Sequence, residues 1–506
     1  MWLLLDLSVE TWVFLTAFIS LLMLYGIWPY GVFKKLGIPG PRPLPFIGTM
    51  LHNRHGSIKF DQDCYEKYGK IWGFYDGRTP VLGVADPAII KTVLVKECYS
   101  TFINRRDVGP MAELEEGVLT AKDEQWKRLR TLLSPTFTSG KLKDMFPIIV
   151  HYAKSLMKNV QAKVEREEPL DIKGLFGAYS MDVVTSTSFG VTTDSINNPN
   201  DPFLKEVEKL IDVNFTSPVL MLLNVFPFLR PLLTMMGMSF FPRDAMKFFA
   251  KSFAKIKENR EKGSEKGRVD FLQLMIEYQK ASDAKRSNEV ANKALTDSEI
   301  LAQAITLIVA GYEDTSNNLS YTAYELALHP DVQQKLQEEI DLVLPNKAPL
   351  TYESIMQMEY LDMTMNETLR LYANTFRLER ECKKDVEING IAIPKGTVVM
   401  VPPRVLHLDP EYWSEPKEFR PERFSKEMRD KIDPYVFMPF GAGPRICIGM
   451  RFAMLTMKTA IIGLLQHFSF KPCKETQIPL QLSTRGFARP AKPIILKFVP
   501  RASSTC

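Results

Sequence analysis

Cys447 sits in the run Phe440-Gly441-Ala442-Gly443-Pro444-Arg445-Ile446-Cys447-Ile448-Gly449, just ahead of an amphipathic stretch of helical period from about Met450 to His467. At the start of a helix the dipole favours a thiolate, and small neighbours let backbone N–H groups approach the sulfur. Those are the needs of a cysteine that ligates a metal. On iron, a thiolate pushes electron density onto the metal and favours cleavage of an O–O bond. The alternative is a buried structural cysteine, the default for Cys64 or Cys98. The ten-residue pattern around Cys447 argues against it.

Two other groups could do chemistry or hold charge. Glu367-Thr368-Leu369-Arg370 puts a carboxylate and a guanidinium on one helix face, upstream of Pro421-Glu422-Arg423-Phe424. Taken alone, such a pair is most often a solvated surface salt bridge. Ala310-Gly311-Tyr312-Glu313-Asp314-Thr315-Ser316 places two acids and three hydroxyls directly after an apolar run.

The elements that must position these residues are mostly helical. The longest helix should begin at Thr296, where Thr296-Asp297-Ser298-Glu299 reads as a capping box, and run to His329 before Pro330 stops it. At about 1.5 Å per residue it spans roughly 50 Å. Its middle, Ala304 to Ala310, is apolar all round, which indicates a buried central helix. Glu313 and Asp314 follow at once and argue against a membrane span. Ile71 to Ala85 reads as two strands joined at Asp76-Gly77, and Val386 to Ile393 as a hairpin turned at Asn389-Gly390. Strands are otherwise few and there is no internal repeat, so the fold expected is mainly α with small β-sheets.

The 506 residues, with 45% hydrophobic and 24% charged side chains, suit one large core or two ordinary ones. A formal charge of +5 is modest for this length, so no nucleic-acid partner is expected. Six cysteines without a CxxC pair fit reduced thiols and argue against zinc.

From Val9 to Phe33 the chain is nearly all apolar, with Trp12 and Trp28, and is long enough to span a bilayer. Asp6 and Glu10 precede the run and Lys34 and Lys35 follow it, which puts the N-terminus across the membrane and the body in the cytosol. A cleaved signal peptide is the alternative, but the basic residues follow the apolar run and no cleavage site is evident. The proline-rich Lys34 to Pro45 then makes a stiff spacer. The expected organisation is a membrane anchor over 1–33, a linker over 34–50 and a catalytic domain over 51–506. Val219 to Phe241 is apolar but broken by Pro227, Arg230 and Pro231, which leaves two readings open: a lip dipping into the membrane surface over a substrate entrance, or buried core. The charged stretches Lys255 to Arg268 and Gln279 to Lys293 are assigned no chemistry.

Phe440 to Gly449 resembles the heme-binding signature of the cytochrome P450 superfamily, Phe-x-x-Gly-x-Arg-x-Cys-x-Gly, at every fixed position. Glu367 to Arg370 and Pro421 to Phe424 fall in the order found there. The resemblance runs from Lys34 through Thr476, and segments such as Thr92-Val93-Leu94-Val95-Lys96-Glu97-Cys98 and Asp385-Val386-Glu387-Ile388-Asn389-Gly390 are similar to family 3, subfamily A, the vertebrate microsomal drug and steroid oxidases. The resemblance implies a single large catalytic domain of the cytochrome P450 fold and heme b, with Cys447 as its iron ligand. It implies a buried brace made by Glu367, Arg370 and Arg423. Arg105, Trp126, Arg130, Arg380 and Arg445 would hold the heme propionates, a task for which guanidinium forks suit carboxylates. Val309, Ala310 and Thr375 would line the substrate pocket. Electrons would come from NADPH through NADPH-cytochrome P450 reductase, with cytochrome b5 as a further partner. The enzyme would insert one oxygen atom from O2 into large lipophilic substrates such as steroids, drugs and xenobiotics, at the endoplasmic reticulum membrane with a single pass and a cytosolic catalytic domain. On charge alone, Lys127 and Arg128 would face the reductase.

The sequence departs from that family in the central helix. Relatives carry Ala/Gly-Gly-x-Asp/Glu-Thr there, the acid and the threonine hydroxyl relaying protons, so the catalytic candidates are Glu313, Asp314 and Thr315. Asp314 stands where the threonine is expected. A hydroxyl both donates and accepts, whereas an ionised carboxylate only accepts, so Asp314 relays protons only if burial raises its pKa. Thr315 takes over if Gly311 lets the helix bulge. Ala373 replaces a usual proline, and Val309 replaces a frequent phenylalanine, which widens the pocket. A heme-thiolate isomerase resembling thromboxane synthase, acting on a peroxide without a reductase, also lacks the helix threonine and is the rival reading. A non-catalytic heme or sterol carrier is a third. Asn214, Asn318 and Asn366 begin Asn-x-Ser/Thr triplets but fall on the expected cytosolic side, so no glycosylation is assigned.

Overall fold

The computed structural model describes all residues except 1–7, 108, 213–217, 263–269, 285–294, 374–376, 484–488 and 502–506. Asp6, Asn214 and Thr375 therefore lie outside the described residues. The chain divides into two compact units, one made of Met1–Gly109, Asn214–Met236 and Arg377–Val405, the other of Pro110–Val213, Gly237–Phe376 and Leu406–Cys506.

The first unit carries a four-stranded sheet in the order Ile71–Asp76, Thr79–Val84, Val398–Val401, Leu378–Glu381. The first two strands pair antiparallel around Gly77-Arg78, with Asp76 opposite Thr79, and the second pairs parallel with the third. Val386–Ile388 and Ile391–Ile393 form a separate hairpin whose turn residues, Asn389 and Gly390, both have positive φ (50° and 78°). Asn-Gly is favoured where a two-residue loop must match the strand twist in this way.

The anchor helix, Val9–Ile27, starts at an N-cap in which Ser8 Oγ accepts from the Thr11 N–H at 3.3 Å. Its length is roughly 28 Å at about 1.5 Å per residue. With its continuation to Lys35 it is the one helix among the described residues long and apolar enough to cross a membrane. Packing against the unit begins before residue 34. The Tyr25 hydroxyl donates to the Val225 carbonyl at 3.0 Å, and its ring stacks on Phe226 at 5.7 Å. Phe33 is buried beside Tyr75. The Pro218–Met235 stretch is broken as its prolines require, into Pro218–Val225, Pro227–Leu229 and Arg230–Met235. It is two-faced: Leu220 and Leu223 are buried, whereas Met221, Phe228, Leu232 and Met235 are exposed. The core reading thus holds for one face, and the other face is exposed.

The second unit is built on the central helix Asp297–Leu328. Its capping box is complete: the Glu299 N–H donates to Thr296 Oγ1 at 3.1 Å and the Thr296 N–H to Glu299 Oε2 at 3.0 Å. Pro330 ends it and opens the next helix, Pro330–Val343, where a missing N–H costs nothing. The central helix packs along Ile172–Phe189, whose middle and end are buried. A Cβ on Gly311 would come within 2.7 Å of Val184 Cγ2, so glycine is what lets the two backbones approach. Tyr179 ties the same neighbouring helix to Met450–Leu465 through a 3.0 Å bond to the Thr456 carbonyl. A three-stranded sheet in the order Leu170–Asp171, Ile495–Pro500, Phe468–Pro472 borders this core.

Candidate active site

In the second unit, Gly441 (φ 77°) and Gly443 (φ 73°) take left-handed conformations that turn the chain back on itself. The Ile446 N–H donates to the Gly443 carbonyl at 3.0 Å and the Cys447 N–H to the Phe440 carbonyl at 2.9 Å. This delivers Cys447 to the N-terminal end of Met450–Leu465. Among the described cysteines it is the exposed one: Cys64, Cys98 and Cys382 are buried and Cys473 is partly so. Burial pushes the Cys64 thiol up to about 12, the opposite of what a ligand needs.

Arg445 is buried, donates from Nη2 to the Ala121 carbonyl at 2.9 Å, and lies 4.1 Å from the centroid of the buried Trp126 ring. Trp126 and Arg130 share the helix Asp123–Leu133, one turn apart on one side. In the first unit, Arg380 is buried, and burial together with the charge of Arg105 pushes its pKa down to about 9. Its Nη1 donates to the Glu379 carbonyl at 2.8 Å, while its Nε has no hydrogen-bond partner and no carboxylate among the described residues pairs with it. The other arginines of that strand region are answered, Arg377 by Asp61 at 2.7 Å and Arg106 by Asp76 at 2.6 Å. A buried guanidinium left without an acid suits a carboxylate from outside the chain.

Glu367, Arg370 and Arg423 come together. Arg370 donates to both Glu367 oxygens at 2.7 Å, and Arg423 Nε reaches Glu367 Oε1 at 3.2 Å. The remaining Arg370 N–H groups bond the carbonyls of His407, Pro416 and Glu418. Both members of the central pair are buried, not solvated.

On the central helix, from Glu299 to Leu328, Ala310 and Asp314 are the two exposed residues; Val309 is half-buried. Asp314 is exposed on that helix although protein surrounds it on most sides. Burial, then the neighbouring Glu313, push its pKa up to about 6, with Lys173 opposing. Glu313 is turned elsewhere. Lys173 Nζ lies 2.9 Å from its Oε2 and 2.5 Å from Ser316 Oγ, and Asn317 donates to its Oε1 at 3.0 Å.

Residues 38–498 match the family model described as Cytochrome P450. The chain is 58% identical to Cytochrome P450 3A9 of Rattus norvegicus over 98% of this chain and 97% of that one. It is 56% identical to Cytochrome P450 3A5 of Homo sapiens over 97% of each, and 57% identical to Cytochrome P450 3A29 of Sus scrofa over 98% of this chain and 97% of that one. The chain belongs to the cytochrome P450 family.

As a P450 similar to the 3A members, it is a heme-dependent drug and steroid monooxygenase supplied with electrons from NADPH by a reductase. The 3A relatives are microsomal. The isomerase reading finds no support in these matches. The helix bulge expected to hand the relay to Thr315 is absent: the helix is regular through Gly311, Gly311 is committed to Val184, and Thr315 is buried. Arg128 is also not free to face a partner. It turns inward to the buried Glu299, while Lys127 pairs with Glu124 at 2.6 Å on the surface. Lys173, Ser316 and Asn317 escaped the sequence reading. The one available signal was that a buried glutamate needs a counter-charge, and Lys173 lies 140 residues from it.

Proposed function

We propose that Cys447 is the thiolate ligand of the heme iron, with Trp126, Arg130 and Arg445 in the second unit and Arg105 and Arg380 in the first as donors to the propionates. The observation that carries this reading is the exposure of Cys447 at a helix start, where the other described cysteines are buried or partly so. The donor chemistry fits: a soft anion for iron, and a buried cation without its own acid for a carboxylate. When bound, the heme supplies oxygen activation and the thiolate favours O–O cleavage.

The chain's own residues do the rest. Glu367, Arg370 and Arg423 brace the segment that leads to the ligand loop. Val309 and Ala310 give the pocket small apolar walls suited to large lipophilic substrates such as steroids; Thr375 lies outside the described residues. Asp314 holds a proton when it is neutral, and gives it up as a donor in place of a threonine hydroxyl. Glu313, clasped by Lys173, fixes the local charge.

Residues 1–33 anchor the protein in the endoplasmic reticulum membrane by a single pass, 34–50 link the anchor to the body, and 51–506 form the catalytic domain. Lys34 and Lys35 after the span place the body on the cytosolic side. The exposed side chains of Pro218–Met235 enter the membrane surface. Cytochrome b5 serves as an accessory electron donor. The deciding experiment is a carbon monoxide difference spectrum of the reduced wild-type protein and of Cys447→His. A thiolate-type band in the wild type, replaced by a histidine-type band in the variant, is expected. A histidine-type band in the wild type would overturn the assignment.

A further inference from the structure

We infer that Gln303 is a positioning residue for the monooxygenase reaction: its buried amide clamps residues 116–118 onto the central helix and so fixes the wall beside Ala310 that sets where a substrate is oxidised. This rests on the reading above that Val309 and Ala310 line the substrate pocket.

Gln303 is 1% exposed and uses both ends of its amide. Its Oε1 accepts from the Val118 N–H at 2.7 Å, and its Nε2 donates to the Glu116 carbonyl at 2.8 Å and, one turn back on its own helix, to the Glu299 carbonyl at 3.0 Å. The amide thus bonds the backbone on both sides of Gly117, much as a residue in a parallel β-ladder bonds the residues that flank its partner. Apolar packing is non-directional, so a leucine here would bury as well without fixing the register of the segment. Two hydrogen bonds to the backbone fix it.

Gly117 stands between the two bonded residues because nothing larger fits. A Cβ there would come within 2.8 Å of Thr306 Oγ1, and that hydroxyl is itself held by a 2.7 Å bond to the Ala302 carbonyl. The segment is also tied to itself: Thr120 Oγ1 donates to the Gly117 carbonyl at 3.1 Å and the Ala121 N–H to the same carbonyl at 2.8 Å. At its far end the Ala121 carbonyl accepts from Arg445, one of the residues proposed to hold the heme. Gln303, Thr306 and Ala310 recur at helical spacing on one face of the central helix. Along that face Gln303 is buried, Thr306 half-buried and Ala310 exposed. The segment covers the face as far as Thr306, so Val118 and Leu119, directly after Gly117, lie where the covered part ends. Without the clamp that edge is free to shift. A substrate held against Ala310 is then presented in more than one orientation, and the mixture of products changes.

The test uses the full-length holoenzyme with its reductase in lipid nanodiscs, testosterone as the probe, and two variants that disturb the clamp from opposite sides, Gln303→Met and Gly117→Ala. Methionine nearly keeps the volume and loses both bonds to the segment, so Gln303→Met should speed amide exchange over residues 114–121 by about tenfold in the resting protein. Both variants should change the ratio of hydroxylated testosterone products severalfold. That ratio separates positioning from stability, since a partly unfolded enzyme loses every product in proportion. If Gln303→Met takes up no heme, Gly117→Ala decides. Unchanged exchange in Gln303→Met, or an unchanged ratio in each variant that takes up heme, overturns the proposal. Ala310→Leu separates the two readings: a ratio moved by Ala310→Leu but not by the clamp variants sinks the clamp alone, whereas a ratio that Ala310→Leu leaves in place overturns the pocket reading and this inference with it.

Discussion

Nε and Nη2 of Arg370 each donate to a different oxygen of Glu367 at 2.7 Å, and both side chains are sealed from solvent. The Arg420 N–H adds a 2.9 Å bond to the same carboxylate. Removing one partner leaves the other charge buried, at a cost of about 3–5 kcal/mol. Arg370→Met should therefore lower the thermal midpoint sharply and reduce heme incorporation. The double variant Glu367→Met with Arg370→Met should recover part of the loss, because the fully buried pair goes together and Arg423, which loses Glu367, keeps its bonds to Ser414 and the Glu415 carbonyl. A double variant as unstable as the single one would show that the pair is not what holds this region.

Gly311 has a different job. A methyl group there would meet Val184 Cγ2 at 2.7 Å, with no backbone freedom to absorb it in mid-helix. Overpacking of this kind costs about 1–3 kcal/mol. Gly311→Ala should lose stability on that scale in thermal unfolding, and adding Val184→Ala should restore most of it. Equal midpoints for wild type and Gly311→Ala would sink the close-packing account.

The relay through Asp314 predicts a pH signature. The folded carboxyl, raised to about 6, can donate below that value and only accepts above it. With a neutral substrate, hydrogen peroxide released per NADPH should rise as pH climbs through about 6. Asp314→Thr should show less leakage near neutral pH and a flat profile, since a hydroxyl does not titrate there. Peroxide yields that match between the two proteins across the range would remove Asp314 from proton delivery.

Tyr25 latches the end of the anchor to the lip. Besides the Val225 bond and the Phe226 stack, its ring lies 3.5 Å from the Arg78 guanidinium. Tyr25→Ala should speed amide exchange in residues 223–229 by about tenfold, the worth of roughly one hydrogen bond. Tyr25→Phe keeps the stack and should fall between. Exchange that is unchanged in Tyr25→Ala would mean the lip is held by its other contacts.

Much of the site was legible because its signals are local. The glycines around Cys447, the capping box at Thr296 and the Asn389-Gly390 turn act over a few residues, where backbone sterics and caps leave little choice. The same holds for the anchor, whose apolar length exceeds what a core strand or short helix needs. The sequence also singled out Asp314 as the departure that matters.

What it could not settle was which charges meet. Glu313 and Lys173 pair from positions 140 residues apart, and Arg128 meets Glu299 from 171 apart. Arg377 meets Asp61, whereas Arg380 meets no acid among the described residues, which the spacing of residues does not reveal. The freedom of Thr315 to replace Asp314 likewise disappeared once Gly311 was found against Val184. The sequence by itself determined the backbone setting of Cys447, the long apolar N-terminal helix and the helical frame, because these follow from short-range backbone geometry and hydrophobic length. Only the tertiary structure decided which charges meet and which of them are sealed from water, because burial and Coulomb energy depend on distances in space and not along the chain.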